Sequence, residues 1–469
     1  MGADVAPGPG FEVPRGAVGA VVSDEFRSHF AVLGQDGHVR VFDADGRQVV
    51  DRPAVLSRTG EEPETAEPLV GTVGAPGQPL LVGATGDGRV VSVPVDWKVS
   101  FDGPTRVVTP VVGDPILFEL DPDGTPVSLF AGAIEEDGAA TAAAQLSDGS
   151  LVVVKREVEE NLLTQETTES WRRSETIPPK PQSAMVLDAA GRNLYGGTAD
   201  GELLWWSLAG RDLPDPQILS PGAAGVTALS LLIGDRSLVA IEIWFPVRRP
   251  PGEFELTRIR SFEALDGPIR EISPSLRDKG FLALDDNATM GLFYSTSHRV
   301  LWTGPSLLTD PVGLYFTPKA DGAILSGDGR IASLDIDNPH PEVSLTALFG
   351  RVWYEGREEP EYVWQSTGGT DEFESKLSLT PLMVGTLKGT VYSLLLAIPL
   401  GVLGAMYTSQ FMHPGLKRYV KPTVEIMAAL PSVVLGFLAG LWLAPRVTQY
   451  LPAMALMLFV LPLVVLGAG

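Results

Sequence analysis

The chain has 469 residues and a formal net charge of −23, a length that predicts two or three domains. After Thr380 the only acid is Glu425, against Lys388, Lys417, Arg418, Lys421 and Arg446. The tail is therefore +4, and residues 1–380, with 57 acids and 30 bases, carry −27. So acidic a body argues against nucleic acid as a partner, because phosphate backbones are neutralised by Lys and Arg, and the absence of cysteine excludes disulfides, thiolate catalysis and Cys-based zinc sites.

The opening MGADVAPGPG has no charged n-region and no apolar h-region, so residues 1–16 read as an N-terminal extension and not as a signal peptide. A missing upstream transmembrane helix is the simplest exporter for any domain placed outside the cytoplasm.

From residue 17 one phrase recurs: an apolar strand, an Asp-Gly turn and a second strand. It stands at 31–43, 81–97, 143–155, 194–206 and 323–335, with turn glycines Gly37, Gly88, Gly149, Gly201 and Gly329. Degraded copies are SLVAIEIWF at 237–245, where the turn has contracted, and GFLALDDNATMGLFY at 280–294, where Asn287 takes the place of glycine. Asp-Gly between alternating apolar strands predicts a type I′ hairpin with φ > 0 at both central residues. Hairpins every ~40–60 residues have the spacing of propeller blades, and closing them into a ring removes exposed sheet edges. The expectation is an all-β, WD40- or quinoprotein-like propeller of about seven blades over 17–350.

Asp43–Gly46 and Asp121–Gly124 look like pieces of calcium loops but lack the opening Asp and closing Glu, so they read as hairpin turns. With five scattered histidines, no clustered carboxylates and no GxxxxGK[ST] loop, no metal, cofactor, catalytic residue or ATP site is expected.

Residues 351–380 form a linker in which Trp353, Tyr354, Tyr362 and Trp364 precede the first long apolar run. Such aromatics suit a membrane–water interface; packing on the underside of the propeller is the alternative. Three apolar segments follow, at about 382–411, 420–443 and 450–469, of the length that crosses a lipid bilayer. The last is still apolar at Gly469, so a further stretch of helical chain is expected beyond it. The first connection, with Lys417, Arg418 and Lys421, is more basic than the second, with Arg446 alone. The positive-inside rule then makes it cytoplasmic and the propeller extracytoplasmic. Lys388 lies near the outer end, where it can snorkel. In the second segment Pro431 is expected to bend the axis and free the carbonyl of Met427, with Ser432 helping to satisfy freed backbone groups. Gly436 and its small neighbours allow close helix approach. Glu425 is either an intramembrane functional acid or a solvated partner of Lys421.

The stretch EIMAALPSVVLG at 425–436 resembles the E-x-L-A-x-I-P-S-V-V-Y-G segment of permease subunits of bacterial phosphate importers, with Leu435 in place of the commoner tyrosine. GTLKGTVYSLLLAIPLGVLGAMYTSQF at 385–411 is similar to the preceding helix of that family. YVWQSTGGTDEFESKLSLTPL at 362–382 is similar to PstC-type permeases with a large periplasmic insertion after their first helix. The likeness covers about 360–469; over the propeller it is looser, resting on the blade pattern and on SPSLRDKGF at 273–281. The resemblance implies a partial, all-α permease domain of the MetI-like ABC importer fold at 381–469, in the bacterial inner membrane. It implies a non-enzymatic subunit for phosphate, working with a PstA-like second permease, PstB-like cytoplasmic ATPases and a PstS-like periplasmic binding protein. The family's ATPase-coupling loop and R-A-x-G-E-T segment are expected downstream and its first helix upstream. Glu425, Pro431, Ser432 and Gly436 are the pathway or helix-shaping candidates. The rival readings are a membrane-anchored propeller scaffold or sensor for envelope proteins and, more remotely, a quinoprotein-type enzyme.

Overall fold

The Asp-Gly turns build the first unit of the chain. The computed structural model describes residues 2–468 except 15, 17, 55–68, 74–78, 136, 161–166, 175–179, 209, 211–213, 220–224, 233–237, 240–241, 250–252 and 368–373. It divides into Met1–Leu382 and Met383–Gly469. Gly37, Gly88, Gly149 and Gly201 have φ of +77°, +82°, +85° and +84°, values open to glycine without steric cost. The residue before each is not left-handed, so these are not the expected type I′ turns. They are type I turns closed by one left-handed glycine, as in Gly37 N–H to Gly34 O at 3.0 Å and Gly149 N–H to Leu146 O at 2.9 Å. Type I′ occurs at Asp328 (φ +53°) and Gly329 (φ +69°), where Gly327 pairs directly with Arg330 and leaves a two-residue loop. In the sixth repeat the left-handed residue is Ala288 (φ +56°), not Asn287. The contracted turn of the fifth repeat involves 240–241, outside the described residues.

Seven antiparallel sheets result. Blade 1 is Gly19–Ser23, His29–Gly34, His38–Asp43 and Gln48–Pro53. Blade 2 is Leu69–Val73, Leu80–Thr85, Arg89–Asp102 and Ile116–Glu119. Blade 3 is Val127–Ile134, Ala140–Leu146, Leu151–Glu160 and Thr167–Arg173, and blade 4 is Ala184–Leu187, Asn193–Gly197, Leu203–Ser207 and Gln217–Leu219. Blade 5 is Ser230–Leu231, Leu238–Val239, Glu242–Arg249 and Glu253–Ser261, and blade 6 is Ile269–Pro274, Gly280–Asp285, Thr289–Tyr294 and Arg299–Pro305. Blade 7 joins Pro311–Phe316, Gly322–Gly327 and Arg330–Asp337 to Asp4–Glu12.

Apolar clusters link each blade to the next. Tyr315 and Ile324 of blade 7 pack with Val21 and Val32 of blade 1, which pack with Leu81 and Val91 of blade 2. Blades 2 and 3 meet at Phe118 and Ala142, blades 3 and 4 at Val153 and Trp206, blades 4 and 5 at Tyr195 and Trp244. Blades 5 and 6 meet at Phe245 and Phe293, and blades 6 and 7 at Leu292 and Leu325. The sheets therefore close a ring, the architecture of a seven-bladed propeller. The core lies between blades, with no single central mass.

Two features depart from the sequence reading. Residues 4–12 are not part of an extension: Asp4–Glu12 pairs with Arg330–Asp337 and completes blade 7. Pro7, Gly8, Pro9 and Gly10 disguise this strand, and its register slips between Pro7 and Gly10, as prolines on an edge strand allow. Blade 2 also carries an arm: Arg89–Asp102 outruns its neighbours, and Thr105–Val112 folds back along its second half.

After the ring the chain forms a small collar. Trp353 packs edge-on to Phe245 at 6.3 Å and Tyr354 is buried, whereas Tyr362 and Trp364 are exposed. Of the four linker aromatics, two are thus taken up by packing. Lys279 Nζ donates to Glu355 Oε2 at 2.7 Å, and Arg260 donates to Trp353 O at 2.7 Å, tying the collar to blades 6 and 5.

The helical unit corrects the expected boundaries. Helix Thr380–Met406 continues through a wide π turn, Tyr407–Phe411, and helix Pro414–Ala428 follows after two residues. Lys417, Arg418 and Lys421 are therefore on a helix and not in a loop. The 420–443 segment is broken: Pro414–Ala428 ends, and a new helix starts at Ser432, bent by 92°. The expected loop around Arg446 is helical, because Ser432–Leu438 runs through a π turn at Ala439–Leu443 into Ala444–Ala468. Ala444 N–H bonds Ala439 O across that turn, shifting the ladder just before Pro445, whose ring and missing N–H would otherwise break it. Among the described residues, one helix, Thr380–Phe411, is by itself long and apolar enough to cross a membrane; Pro414–Ala428 and Ser432–Ala453 qualify only together.

Ring closure is testable at Phe11. It packs on Phe30 and Phe42 of blade 1 with ring centroids 5.6 and 5.8 Å away. Phe11→Ala is expected to cost about 2 kcal/mol and lower the melting midpoint of the ring, followed by tryptophan fluorescence. A surface change such as Val300→Ala should leave it in place.

Candidate functional site

The sequence-predicted residues flank the corner between the two bent helices, Glu425 before it and Pro431, Ser432 and Gly436 at or after it. Leu430 precedes Pro431, and proline disfavours the helical conformation of the residue before it. The first helix therefore closes on itself: Ala429 N–H bonds Glu425 O at 3.1 Å and Leu430 N–H bonds Met427 O at 3.3 Å. The Met427 carbonyl is thus paired, not freed as expected. Pro431, at φ −58° and ψ 124°, is the cap of the next helix, and its carbonyl accepts from Val434 and Leu435 at 3.0 and 3.2 Å. The proline is a corner and not a kink. Ser432 is the first helical residue after it. A Cβ added at Gly436 would meet nothing within 4 Å, so within this chain that face is open. Glu425 is exposed in the last turn of the first helix, two turns after Lys417 and one after Lys421. Lys417 Nζ donates to Ser409 O at 3.2 Å, a cation on the carbonyl end of the preceding helix. The corner brings Glu425, Pro431, Ser432 and Gly436 within twelve residues; their apolar surroundings are uncovered, as at Val433 and Phe437.

A second group, missed in the sequence, lies in the ring where the loops between first and second strands of blades 1, 6 and 7 converge. Two clefts, of about 590 and about 480 Å³, share Arg277 and Lys319. The Phe26 ring lies 3.3 Å from the Arg106 guanidinium and 3.8 Å from Lys319 Nζ, so the blade 2 arm is held at the mouth by a cation–π contact. Lys319 also pairs with Glu25 at 3.3 Å. The Asp24 carboxylate is occupied by the amides of Phe26, Ser28 and His29 at 2.9, 2.6 and 2.6 Å. Tyr315 Oη, Ser23 Oγ and Trp97 Nε1 line the larger cleft without a hydrogen-bond partner among the described residues. Burial, with Asp24 nearby, pushes the Tyr315 phenol up, so it stays protonated. Burial likewise raises the Asp278 carboxyl, opposed by the Gly280 amide and the Ser275 hydroxyl. Asp24 and Glu25 at the mouth are engaged, whereas Glu374 Oε1 in the smaller cleft has no hydrogen-bond partner among the described residues. The signal in the sequence was the placing of Arg277 and Lys319 in equivalent loops of neighbouring repeats of an acidic domain.

The two suspected calcium loops are turns. Asp43 Oδ1 accepts the amides of Asp45 and Arg47 at 3.0 and 2.8 Å, and Asp121 Oδ2 accepts Thr125 N–H at 2.9 Å. Gly46 and Gly124 are left-handed, at φ +80° and +78°.

No family profile matches the chain. The "Probable ABC transporter permease protein YqgH" of Bacillus subtilis is 28% identical over 90 residues, 19% of this chain and 29% of that protein. The "Phosphate transport system permease protein PstA 1" of Mycobacterium tuberculosis is 33% identical over 87 residues, 18% of this chain and 29% of that protein. The chain spans less than a third of the length of these curated relatives. Among solved structures it is similar to the Myceliophteria thermophila Cps50 (Swd1) β-propeller domain, with a TM-score of 0.45 and 14% identity over 69% of this chain and 98% of that one. It is also similar to Chaetomium thermophilum Raptor, with a TM-score of 0.47 and 12% identity over 72% and 29% of the two chains.

The corner gives a direct test. Pro431→Ala restores a backbone donor and lifts the restriction on Leu430. Spin labels at Lys417→Cys and Leu443→Cys should move apart in pulsed dipolar measurements as the 92° bend opens. An unchanged distance distribution would show that something other than the proline holds the corner.

Proposed function

We propose that this chain is a permease subunit of an ABC-type phosphate importer, forming part of the membrane pathway while a partner ATPase supplies the energy. The observation that carries the reading is the matched stretch in permease relatives. That match runs over 87 to 90 residues, and the resemblance noted at 425–436 falls where the chain turns at Pro431. Phosphate as the cargo is supported by the Mycobacterium tuberculosis relative, a phosphate transport system permease protein, together with the resemblance of that segment. On this reading the helical unit is part of a MetI-like permease domain in the bacterial inner membrane. Pro431, Ser432 and Gly436 shape the helix that enters the bilayer, and Glu425 stands at its cytoplasmic entrance. Lys417, Arg418 and Lys421 set the cytoplasmic side, which leaves the ring in the periplasm. The partners are a PstA-like second permease, PstB-like ATPases and a PstS-like phosphate-binding protein. A second reading, a membrane-anchored scaffold or sensor for envelope proteins, draws on the two clefts at the mouth of the ring, lined by both acids and bases; it requires no ATPase to co-purify.

Two experiments bear on the proposal. In spheroplasts an impermeant thiol reagent should label Ser147→Cys on the ring and spare Ser409→Cys at the far end of the first span; the reverse pattern defeats the orientation. In the transporter reconstituted with its partner subunits, Pro431→Ala should reduce phosphate-stimulated ATP hydrolysis several-fold at unchanged expression. A complex that forms without an ATPase, or hydrolysis indifferent to phosphate, would favour the scaffold.

A further inference from the structure

We propose that helix Pro414–Ala428 does not cross the bilayer but lies in the plane of its surface, with its basic face on anionic phospholipid headgroups and its opposite face in the acyl boundary. The proposal rests on the reading that Thr380–Phe411 spans a membrane, and it concerns the element that follows that span.

At 100° per residue the helix divides cleanly. Lys417, Arg418, Lys421 and Glu425 fall within an arc of about 100°. Leu416, Tyr419, Val420, Thr423, Ile426 and Met427 fall within an arc of about 120° on the other side. Among the described residues the apolar arc is largely uncovered: Leu416, Tyr419, Ile426 and Met427 are all exposed and Val420 is half-buried. Fifteen residues make a rod of about 22 Å, short of the ~30 Å of a hydrocarbon core. Sequence length alone had merged part of this helix with the next one into a single span.

Geometry supplies the orientation. Two residues, Met412 and His413, connect the helix to the long apolar one, and His413 Nδ1 caps its start by accepting from Gly415 N–H at 3.2 Å. At its other end the chain turns by 92° into the helix that starts at Ser432. A helix perpendicular to an apolar neighbour, with one charged and one apolar face, is built for an interface. Three cations against one acid select anionic lipid over zwitterionic lipid. Lys417 keeps its bond to Ser409 O, so it anchors the elbow as well as facing the headgroups. Glu425 then stands in the headgroup layer one turn from Lys421, outside the hydrocarbon.

The test uses the full cysteine-free chain in vesicles of phosphatidylcholine with phosphatidylglycerol. Cysteines placed singly at each position from Leu416 to Ala428 carry nitroxide labels, and collision with oxygen is compared with collision with a water-soluble nickel chelate. The ratio should oscillate with the helical period, high at Leu416, Val420, Thr423 and Met427 and low at Lys421 and Glu425, with no drift along the helix. A steady drift from one end to the other would mean that the helix crosses the bilayer. Low access to both reagents along the apolar arc would mean that protein covers it. Either result overturns the proposal. Leu395→Cys, within the long helix, is the separate control: an aqueous signal there defeats the membrane reading itself. In the background Lys417→Gln, Arg418→Gln and Lys421→Gln, the signal at Val420→Cys should lose the gain it shows with phosphatidylglycerol over phosphatidylcholine alone. If no such gain exists in the unsubstituted protein, the headgroup assignment is wrong.

Discussion

Unpaired backbone N–H and C=O groups are the constraint from which both halves of this molecule follow. In the ring, a hairpin row would leave a bare edge at each end. The chain covers Arg330–Asp337 of blade 7 with Asp4–Glu12, and this strand, with its two prolines, becomes the edge of the blade. In the helical unit the same requirement is met inside each segment, as any element placed in lipid must meet it. At Pro431 the chain ends the helix and before Pro445 it widens it by a π turn, whereas Pro399 and Pro422 lie inside helices.

The ring and the helical unit also divide the electrostatics. Nearly all the acid lies in residues 1–380, where turns use part of it: Asp43, Asp121 and Asp24 accept neighbouring amides with their carboxylates. The cations of the helical unit are few, and three of them, Lys417, Arg418 and Lys421, stand on one turn and a half of helix Pro414–Ala428. The blade interfaces have apolar cores crossed by a few polar contacts, as where Phe316 N–H of blade 7 donates to Ser273 Oγ of blade 6 at 2.8 Å.

Much of the ring was legible because its turns demand glycine. All seven repeats fall on the second and third strands of successive blades, and the position of the sixth was misread by one residue because Ala288, not Asn287, carries the left-handed conformation. Asp4–Glu12 was not legible: its prolines and glycines carry no alternation, and only long-range pairing makes it a strand. The mouth of the ring was hidden because Phe26, Arg106 and Lys319 come from three blades. In the helical part the first segment, 382–411, matches Thr380–Phe411, whereas the other two were divided wrongly. The segment read as 420–443 concealed a right-angle turn, and Arg446 was taken for a break although its neighbours continue the helix.

The closing strand has a consequence for synthesis. Glu12 pairs with Arg330, made 318 positions later, so at about 5–20 residues per second the first strand waits roughly 16–64 s for its partner. During that time it is an unpaired segment beside other nascent strands. A strand rich in valine and isoleucine would be free to join them or a neighbouring chain. The sequence DVAPGPGFE, with two prolines and two glycines, forms a poor strand until Arg330–Asp337 offers a ready edge. The composition that hides this strand from sequence reading is the one that keeps it uncommitted until the ring can close.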